Sequence, residues 1–138
     1  MKIKRIEHVA IAVHDLQETR KLLEDVLGIE MDYEEQLGAT RLAMFPVGET
    51  FIELLKTDAP DSQTGKWLAE NGQSLYHLCF EVEDIDGALA EMKQKNVKLL
   101  DETPRTGHGG ARIAFLDPRS TGNIVIELAE LPAAHAAE

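Results

Sequence analysis

A nine-residue stretch decides the fold, because the chain contains it twice. Residues 8–16 read HVAIAVHDL, and residues 77–85 read HLCFEVEDI, 69 positions later. Both begin with histidine, continue with alternating large apolar side chains, and end in aspartate followed by an aliphatic residue. Alternation with period two indicates a half-buried strand, and aspartate is a common N-cap of a following helix. The sequence therefore predicts a strand and then a helix at the start of each of two repeats.

Two further pairs of segments extend the repeat. Residues 41–45, RLAMF, match residues 112–116, RIAFL, and residues 51–55, FIELL, match residues 125–129, VIELA. With one more short strand in each half, both halves have the order β-α-β-β-β. We therefore predict an α+β fold of two tandem βαβββ repeats, forming curved mixed sheets around a metal-binding cleft with the helices on the outer faces.

The predicted boundaries follow from these matches. Residues 1–138 are expected to form a single domain built from two modules, at approximately 4–57 and 74–131, with a linker helix near 61–70. The additional strands are placed at 30–34 and 99–103.

The helical pattern also predicts which side chains are buried. The first helix is expected to place four aliphatic residues toward one side: Leu16, Leu23, Val26 and Leu27. The second helix is expected to do the same with Ile85, Ala88, Leu89 and Met92.

Composition excludes several classes of function. Lys and Arg total 14 against 25 Asp and Glu, so the net charge is −11, and a surface of this sign repels nucleic acid. The N-terminal residues have no apolar run that suits a signal peptide or a membrane span. Cys79 is the only cysteine, which excludes an intrachain disulfide and favours a reduced, cytoplasmic setting.

The repeat also places chemically reactive side chains at equivalent positions. In the opening strands, the large apolar residues share one face, which leaves His8 and His77 on the other. In the closing strands, Glu53 and Glu127 lie opposite their aliphatic neighbours in the same way. One buried-strand histidine or glutamate is more often structural, but recurrence in both repeats favours a shared role.

Two imidazoles and two carboxylates are a suitable ligand set for a divalent metal ion. His8, Glu53, His77 and Glu127 are therefore the predicted metal ligands. Cobalt is taken first, with zinc, nickel and manganese as alternatives. A metal-polarised carbonyl lowers the pKa of an adjacent C–H proton, and a nearby carboxylate can then remove that proton.

The order of several segments resembles the vicinal oxygen chelate superfamily, which includes glyoxalase I, extradiol dioxygenases and bleomycin-resistance proteins. The most similar branch is the methylmalonyl-CoA epimerases. The resemblance runs from about residue 6 to residue 131. It rests on eight segments: HVAIAV at 8–13, FIELL at 51–55, APDS at 59–62, KWL at 66–68, YHLCFEV at 76–82, DETPRTGHGG at 101–110, FLDPRSTG at 115–122 and IEL at 126–128.

The resemblance implies an activity and its site residues. It implies epimerisation at C2 of methylmalonyl-CoA through a metal-stabilised enolate, with an acyl-CoA substrate and a homodimer. From charge and hydropathy, no nucleic-acid or membrane partner is expected. Glu127 would combine the roles of ligand and base. The second acid–base group would come from Glu34-Glu35-Gln36-Leu37-Gly38, where Glu35 is the match if Leu37 is an insertion and Glu34 is the alternative.

Some positions depart from the epimerase pattern. Asp117 stands where epimerases usually have histidine, and Leu22-Leu23 stands where an aromatic pair is common. His108 lies in a glycine-rich segment that could close over a ligand or form a simple hairpin turn. Four cations are candidates for contacts with CoA phosphates: Lys66, Arg105, Arg112 and Arg119.

Two rival functions use the same fold. A glyoxalase I-type lactoylglutathione lyase, or a related thiol-adduct isomerase, has the same ligand set and also moves a proton beside a polarised carbonyl. A non-catalytic, antibiotic-binding member of the superfamily is the second rival. Such proteins tend to lose the metal ligands, whereas all four are present here.

Overall fold

The computed structural model describes residues 1–133 and divides into two compact units. The first unit comprises residues 8–76. The second comprises residues 1–7 together with the chain from His77 onward.

In the first unit, a four-stranded sheet is covered on one face by a helix. Its elements are β1 (Ile3–Ala12, of which residues 8–12 lie in this unit), α1 (Leu16–Lys21), a π-helical turn (Leu22–Val26), β2 (Tyr33–Leu37), β3 (Thr40–Val47), β4 (Thr50–Thr57) and α2 (Gln63–Asn71). The strand order is β2-β3-β4-β1. β1 runs parallel to β4, and the other pairs are antiparallel.

The second unit repeats this arrangement. Its elements are β5 (Ser74–Val82, of which residues 77–82 lie in this unit), α3 (Ile85–Gln94), β6 (Arg105–Thr106), β7 (Arg112–Phe115) and β8 (Ile126–Glu130), in the strand order β5-β8-β7-β6. β5 is parallel to β8, and the other pairs are antiparallel. The α+β class and the twice-repeated βαβββ order are therefore confirmed.

Each unit has its own apolar core between the sheet and its helix. The buried cluster of the first unit is Val13, Leu16, Leu23, Ala43, Phe45 and Leu54. That of the second is Val82, Ile85, Ala88, Leu89, Ala114, Leu116 and Leu128. Asp15 and Asp84 cap α1 and α3 as the repeat predicts, each accepting a hydrogen bond of 3.1 Å from the backbone N–H three residues on.

Two predicted strands are wrong in position. The strand expected at 30–34 lies at Tyr33–Leu37, because Ile29 and Met31 pack into the apolar core before pairing begins. At 99–103 there is only a single bridge, between Leu99 and Leu116. The strand in that part of the chain is the two-residue β6.

The first helix also buries fewer side chains than its pattern predicts. Leu16 and Leu23 are buried, but Val26 is 71% exposed and Leu27 is 60% exposed. The cause is the π-helical turn, in which Leu27 N–H donates to Leu22 C=O five residues back. A π turn shifts the phase of all later side chains around the helix axis.

α2 is fixed in place by a cap and an aromatic anchor. Ser62 Oγ accepts a hydrogen bond of 3.0 Å from Gly65 N–H, and Trp67 Nε1 donates to Ser74 Oγ at 3.0 Å. The Trp67 ring lies 5.2 Å from that of Tyr76. Within residues 1–133, no helix is both long enough and apolar enough to cross a membrane.

We predict that Gly65→Ala destabilises the fold. A Cβ at this position would lie 2.2 Å from the Ala59 carbonyl oxygen and 2.9 Å from two backbone atoms of Pro60, and backbone atoms cannot move aside cheaply. We expect a loss of about 2–3 kcal/mol in the free energy of unfolding, measured by urea denaturation. The comparison variant is Gly87→Ala in α3, where the added Cβ meets only the side-chain carboxylate of Asp84, so the expected loss is limited to that capping bond, about 1 kcal/mol. Equal stability of Gly65→Ala and the wild type would contradict this close packing.

Candidate functional site

A histidine and a glutamate are paired on the sheet of the first unit. The parallel register places Glu53 opposite Ala10, so the Glu53 side chain projects from the same face as Ala10 and His8. His8 Nε2 lies 3.2 Å from Glu53 Oε1, and both side chains are buried. This face is turned away from α1, whose core residues contact the opposite side of the strands.

The second unit contains the equivalent pair. β5 and β8 place Cys79 opposite Glu127, so Glu127 shares a face with Cys79 and His77. His77 Nε2 lies 3.0 Å from Glu127 Oε1, and both residues are buried. The Phe115 ring packs against the imidazole of His77 at right angles, with the ring centroids 5.0 Å apart.

The donor set of each pair fits a divalent metal ion. Imidazole nitrogen and carboxylate oxygen both bind such ions at about 2.1 Å, so two ligands at adjacent octahedral positions are about 3.0 Å apart. The two nitrogen–oxygen distances, 3.2 and 3.0 Å, match this spacing. A hydrogen bond between the two groups has a similar length, so the chemistry of the donors supports the fit as much as their spacing does.

The structure separates the two candidate glutamates of β2. Glu35 is paired with Leu42 and Glu34 with Ala43, so the two carboxylates project from opposite faces of the sheet. Glu34 lies on the helix side, where it forms ion pairs with Arg20 at 3.2 Å and Arg41 at 2.5 Å. Glu35 projects from the same face as Glu53.

The glycine-rich segment of the second unit forms a turn. Gly107 N–H donates to Ala111 C=O at 2.8 Å, and Gly109 and Gly110 both have positive φ angles. His108 is buried, with Nε2 2.8 Å from Glu7 Oε1. The sequence did not decide whether this segment closes over a ligand or forms a turn. It also gave no reason to pair His108 with Glu7. The only available signal was the position of Glu7 next to His8.

The four candidate cations for phosphate contacts differ in their partners. Arg112 makes two bonds to Asp86, at 2.8 and 3.1 Å, and the same carboxylate raises the pKa of Arg112. Arg119 makes a forked contact with Asp117, and its guanidinium lowers the pKa of Asp117 to about 2. Lys66 is exposed on α2. Arg105 donates through Nε to Asp101 at 3.1 Å.

The departure at Asp117 thus has a structural role. Its carboxylate caps the 3₁₀ turn Pro118–Ser120 by accepting a bond of 2.9 Å from Arg119 N–H. With a pKa of about 2, the Asp117 carboxylate is a negatively charged, weak base. It differs in both respects from a histidine, the residue that the resemblance to the epimerases implies at this position.

Known proteins resemble this chain along most of its length. The profile of the Glyoxalase/Bleomycin resistance protein/Dioxygenase superfamily matches residues 7–115. The mitochondrial methylmalonyl-CoA epimerase of Bos taurus is 32% identical over 127 residues, which are 90% of this chain and 73% of that protein. The ethylmalonyl-CoA/methylmalonyl-CoA epimerase of Cereibacter sphaeroides is 30% identical over 133 residues, 94% of this chain and 99% of that protein.

A solved structure gives the same result. A Streptomyces coelicolor methylmalonyl-CoA epimerase variant in complex with 2-nitronate-propionyl-CoA superposes with a TM-score of 0.91 at 34% identity, covering 96% of this chain and 97% of that one. These matches in sequence and in structure each cover at least nine tenths of the chain and therefore include both repeats. The chain therefore belongs to the glyoxalase/bleomycin resistance protein/dioxygenase superfamily and, within it, to the epimerases that resemble methylmalonyl-CoA epimerase.

Proposed function

We propose that this protein is a metal-dependent epimerase that interconverts the (R) and (S) forms of methylmalonyl-CoA. The observation that carries the proposal is the recurrence of a buried His–Glu pair in both units, at 3.2 and 3.0 Å. The similarity to methylmalonyl-CoA epimerases over nine tenths of the chain supports the choice of substrate.

The proposed ligands of one divalent ion are His8, Glu53, His77 and Glu127. When bound, such an ion would polarise the thioester carbonyl and lower the pKa of the C2 proton. Cobalt is the first candidate, and zinc, nickel and manganese suit the same donors.

Epimerisation needs one acid–base group for each face of C2. We assign Glu127 to one face and Glu35 to the other. A carboxylate has two oxygens, so Glu127 can serve as a ligand through one and exchange a proton through the other. Glu35 suits the second role because it projects from the Glu53 face of its sheet, whereas Glu34 is engaged by two arginines on the helix side.

The first test is exchange of the C2 proton of methylmalonyl-CoA in heavy water, followed by NMR or mass spectrometry. We expect rapid deuterium incorporation with Co(II)-reconstituted protein and little with metal-free protein. Glu127→Gln should slow exchange by at least about a hundredfold, because it removes a base and weakens the metal site. No exchange by the wild type with metal demonstrably bound would reject this substrate and place a glyoxalase-type isomerisation first.

Metal stoichiometry tests the ligand set independently of turnover. We expect one Co(II) per chain by calorimetry and elemental analysis. His8→Ala and His77→Ala should each abolish tight binding, because each removes one of four ligands of the same ion. Thermal unfolding of both variants checks that they fold. Two ions per wild-type chain, with each variant losing one of them, would show that the pairs bind separately.

The neighbouring glutamates of β2 form a matched pair of variants. Glu35→Gln should leave Co(II) binding unchanged and lower the rate of epimerisation by about 10²–10⁴-fold, the range expected for loss of an acid–base group. Glu34→Gln should have an almost normal rate, because its carboxylate lies on the other face. Epimerisation is followed by chiral analysis of the product. An unchanged rate for Glu35→Gln would remove Glu35 from the mechanism.

A homodimer remains part of the proposal on the sequence resemblance alone, and a cytoplasmic setting on the single cysteine alone. Sedimentation or mass photometry of the purified chain determines the oligomeric state directly.

A further inference from the structure

Arg105 is positioned beside the β7 strand by a hydrogen bond to Asp101. Its Nε donates to Asp101 Oδ1 at 3.1 Å, and Asp101 Oδ2 accepts a bond of 2.9 Å from the backbone N–H of Phe115. The backbone N–H groups of Leu100 and Asp101 both donate to Phe115 C=O, at 3.0 and 3.2 Å. Asp101, which orients Arg105, is thus bonded to the β7 strand through both its side chain and its backbone.

The guanidinium also stacks on an aromatic ring. The Cζ atom of Arg105 lies 5.5 Å from the centroid of the Phe115 ring, within the range of a cation–π contact. Such stacking limits the motion of the guanidinium and leaves its outer edge available for other contacts.

The Phe115 ring also contacts the His–Glu pair of the second unit. Phe115 is opposite Glu127 in the β7–β8 register, and its ring packs edge-on against His77 at 5.0 Å. Arg105 is opposite Ile113, which lies two residues from Phe115 and projects from the same face. The guanidinium therefore lies on the face that carries His77 and Glu127, not on the face that packs against α3.

The terminal nitrogens of Arg105 distinguish it from the other arginines of the second unit that were candidates for phosphate contacts. Arg112 and Arg119 each direct nitrogens of their fork at a carboxylate, Asp86 and Asp117 respectively. Within residues 1–133, the contact of Arg105 with a carboxylate is made through Nε. Its side chain is 50% exposed. The two terminal NH₂ groups are the part of the fork that binds carboxylate and phosphate groups in a bidentate manner.

We propose that Arg105 binds an oxyanion of the substrate through its two terminal nitrogens, while Asp101 and Phe115 hold the guanidinium in position. This proposal rests on the proposed acyl-CoA function. The substrate has two sources of such an oxyanion, the free carboxylate of the acyl group and the phosphates of CoA. Both groups present two neighbouring oxygens, which an arginine fork can bind with two parallel hydrogen bonds.

The test measures binding of two probes to Co(II)-loaded protein by calorimetry. Methylmalonate carries two carboxylates and no phosphate, and adenosine 3′,5′-bisphosphate carries phosphates and no carboxylate. We expect Arg105→Ala to weaken one of them about ten- to a hundredfold, as for loss of a hydrogen bond to a charged group. The probe that weakens identifies the source of the oxyanion.

Arg112→Ala is the matched control. Arg112 is also an arginine on a strand of this unit, it is 48% exposed, and it projects from the helix side of β7. It should bind both probes as the wild type does. The proposal is overturned if Arg105→Ala binds both probes normally, if Arg112→Ala loses as much affinity, or if the wild type binds neither probe.

Measurements of turnover distinguish the role of Arg105 in binding from the proposed epimerase activity. If both hold, Arg105→Ala should raise the KM for methylmalonyl-CoA about tenfold or more and leave kcat within a few-fold of the wild type, because Arg105 binds the substrate without moving a proton. Wild-type exchange activity with unchanged KM in Arg105→Ala would sustain the epimerase and reject the role of Arg105. Loss of probe binding in Arg105→Ala, without any wild-type exchange, would sustain the oxyanion site and reject the epimerase.

Discussion

Burial of two carboxylates is the constraint on which the rest of this structure depends. Glu53 lies in the middle of β4 and Glu127 is the second residue of β8, and both have little exposure to water. An ionised carboxylate in such a position is strongly disfavoured unless a partner compensates for its lost hydration. In each unit the partner is an imidazole about one hydrogen-bond length away, held on the neighbouring parallel strand. Loss of either histidine would remove this contact from a buried carboxyl group, so the paired residues are constrained together.

The sheets can hold such groups because their two faces have separate tasks. The helix-facing side of each sheet is an apolar cluster, and this cluster supplies the stability of the unit. The other face carries small residues beside the reactive ones, such as Ala10 and Ala12 beside His8. Strand alternation makes this division possible, and it also makes it sensitive to register. A shift of one residue in β1 or β5 would exchange the imidazole with a core side chain.

The sequence predicted the parts of the site that strand alternation alone determines. The two His–Glu pairs follow from the repeat, from period-two alternation and from the opposing aliphatic residues, and the structure places each pair within contact distance. The choice between Glu34 and Glu35 did not follow, because it depends on the register of β2 against β3. Ile29 and Met31 pack against the apolar core just before β2 begins, and such tertiary packing cannot be read from the strand pattern. The exposure of Val26 and Leu27 was hidden for a similar reason, since the pattern does not reveal a π-helical turn.

The sequence also could not show which arginines are paired with a carboxylate. This pairing matters for binding of an anion. With a net charge of −11, the chain as a whole repels a polyanion such as CoA. Arg112 and Arg119 do little against this repulsion, because Asp86 and Asp117 neutralise them at short range. Surface repulsion is screened beyond about 8–10 Å at physiological salt, whereas a fixed guanidinium acts by direct contact. Affinity for an anion must therefore come from short-range donors such as Arg105, whose carboxylate partner engages only the inner nitrogen of the fork.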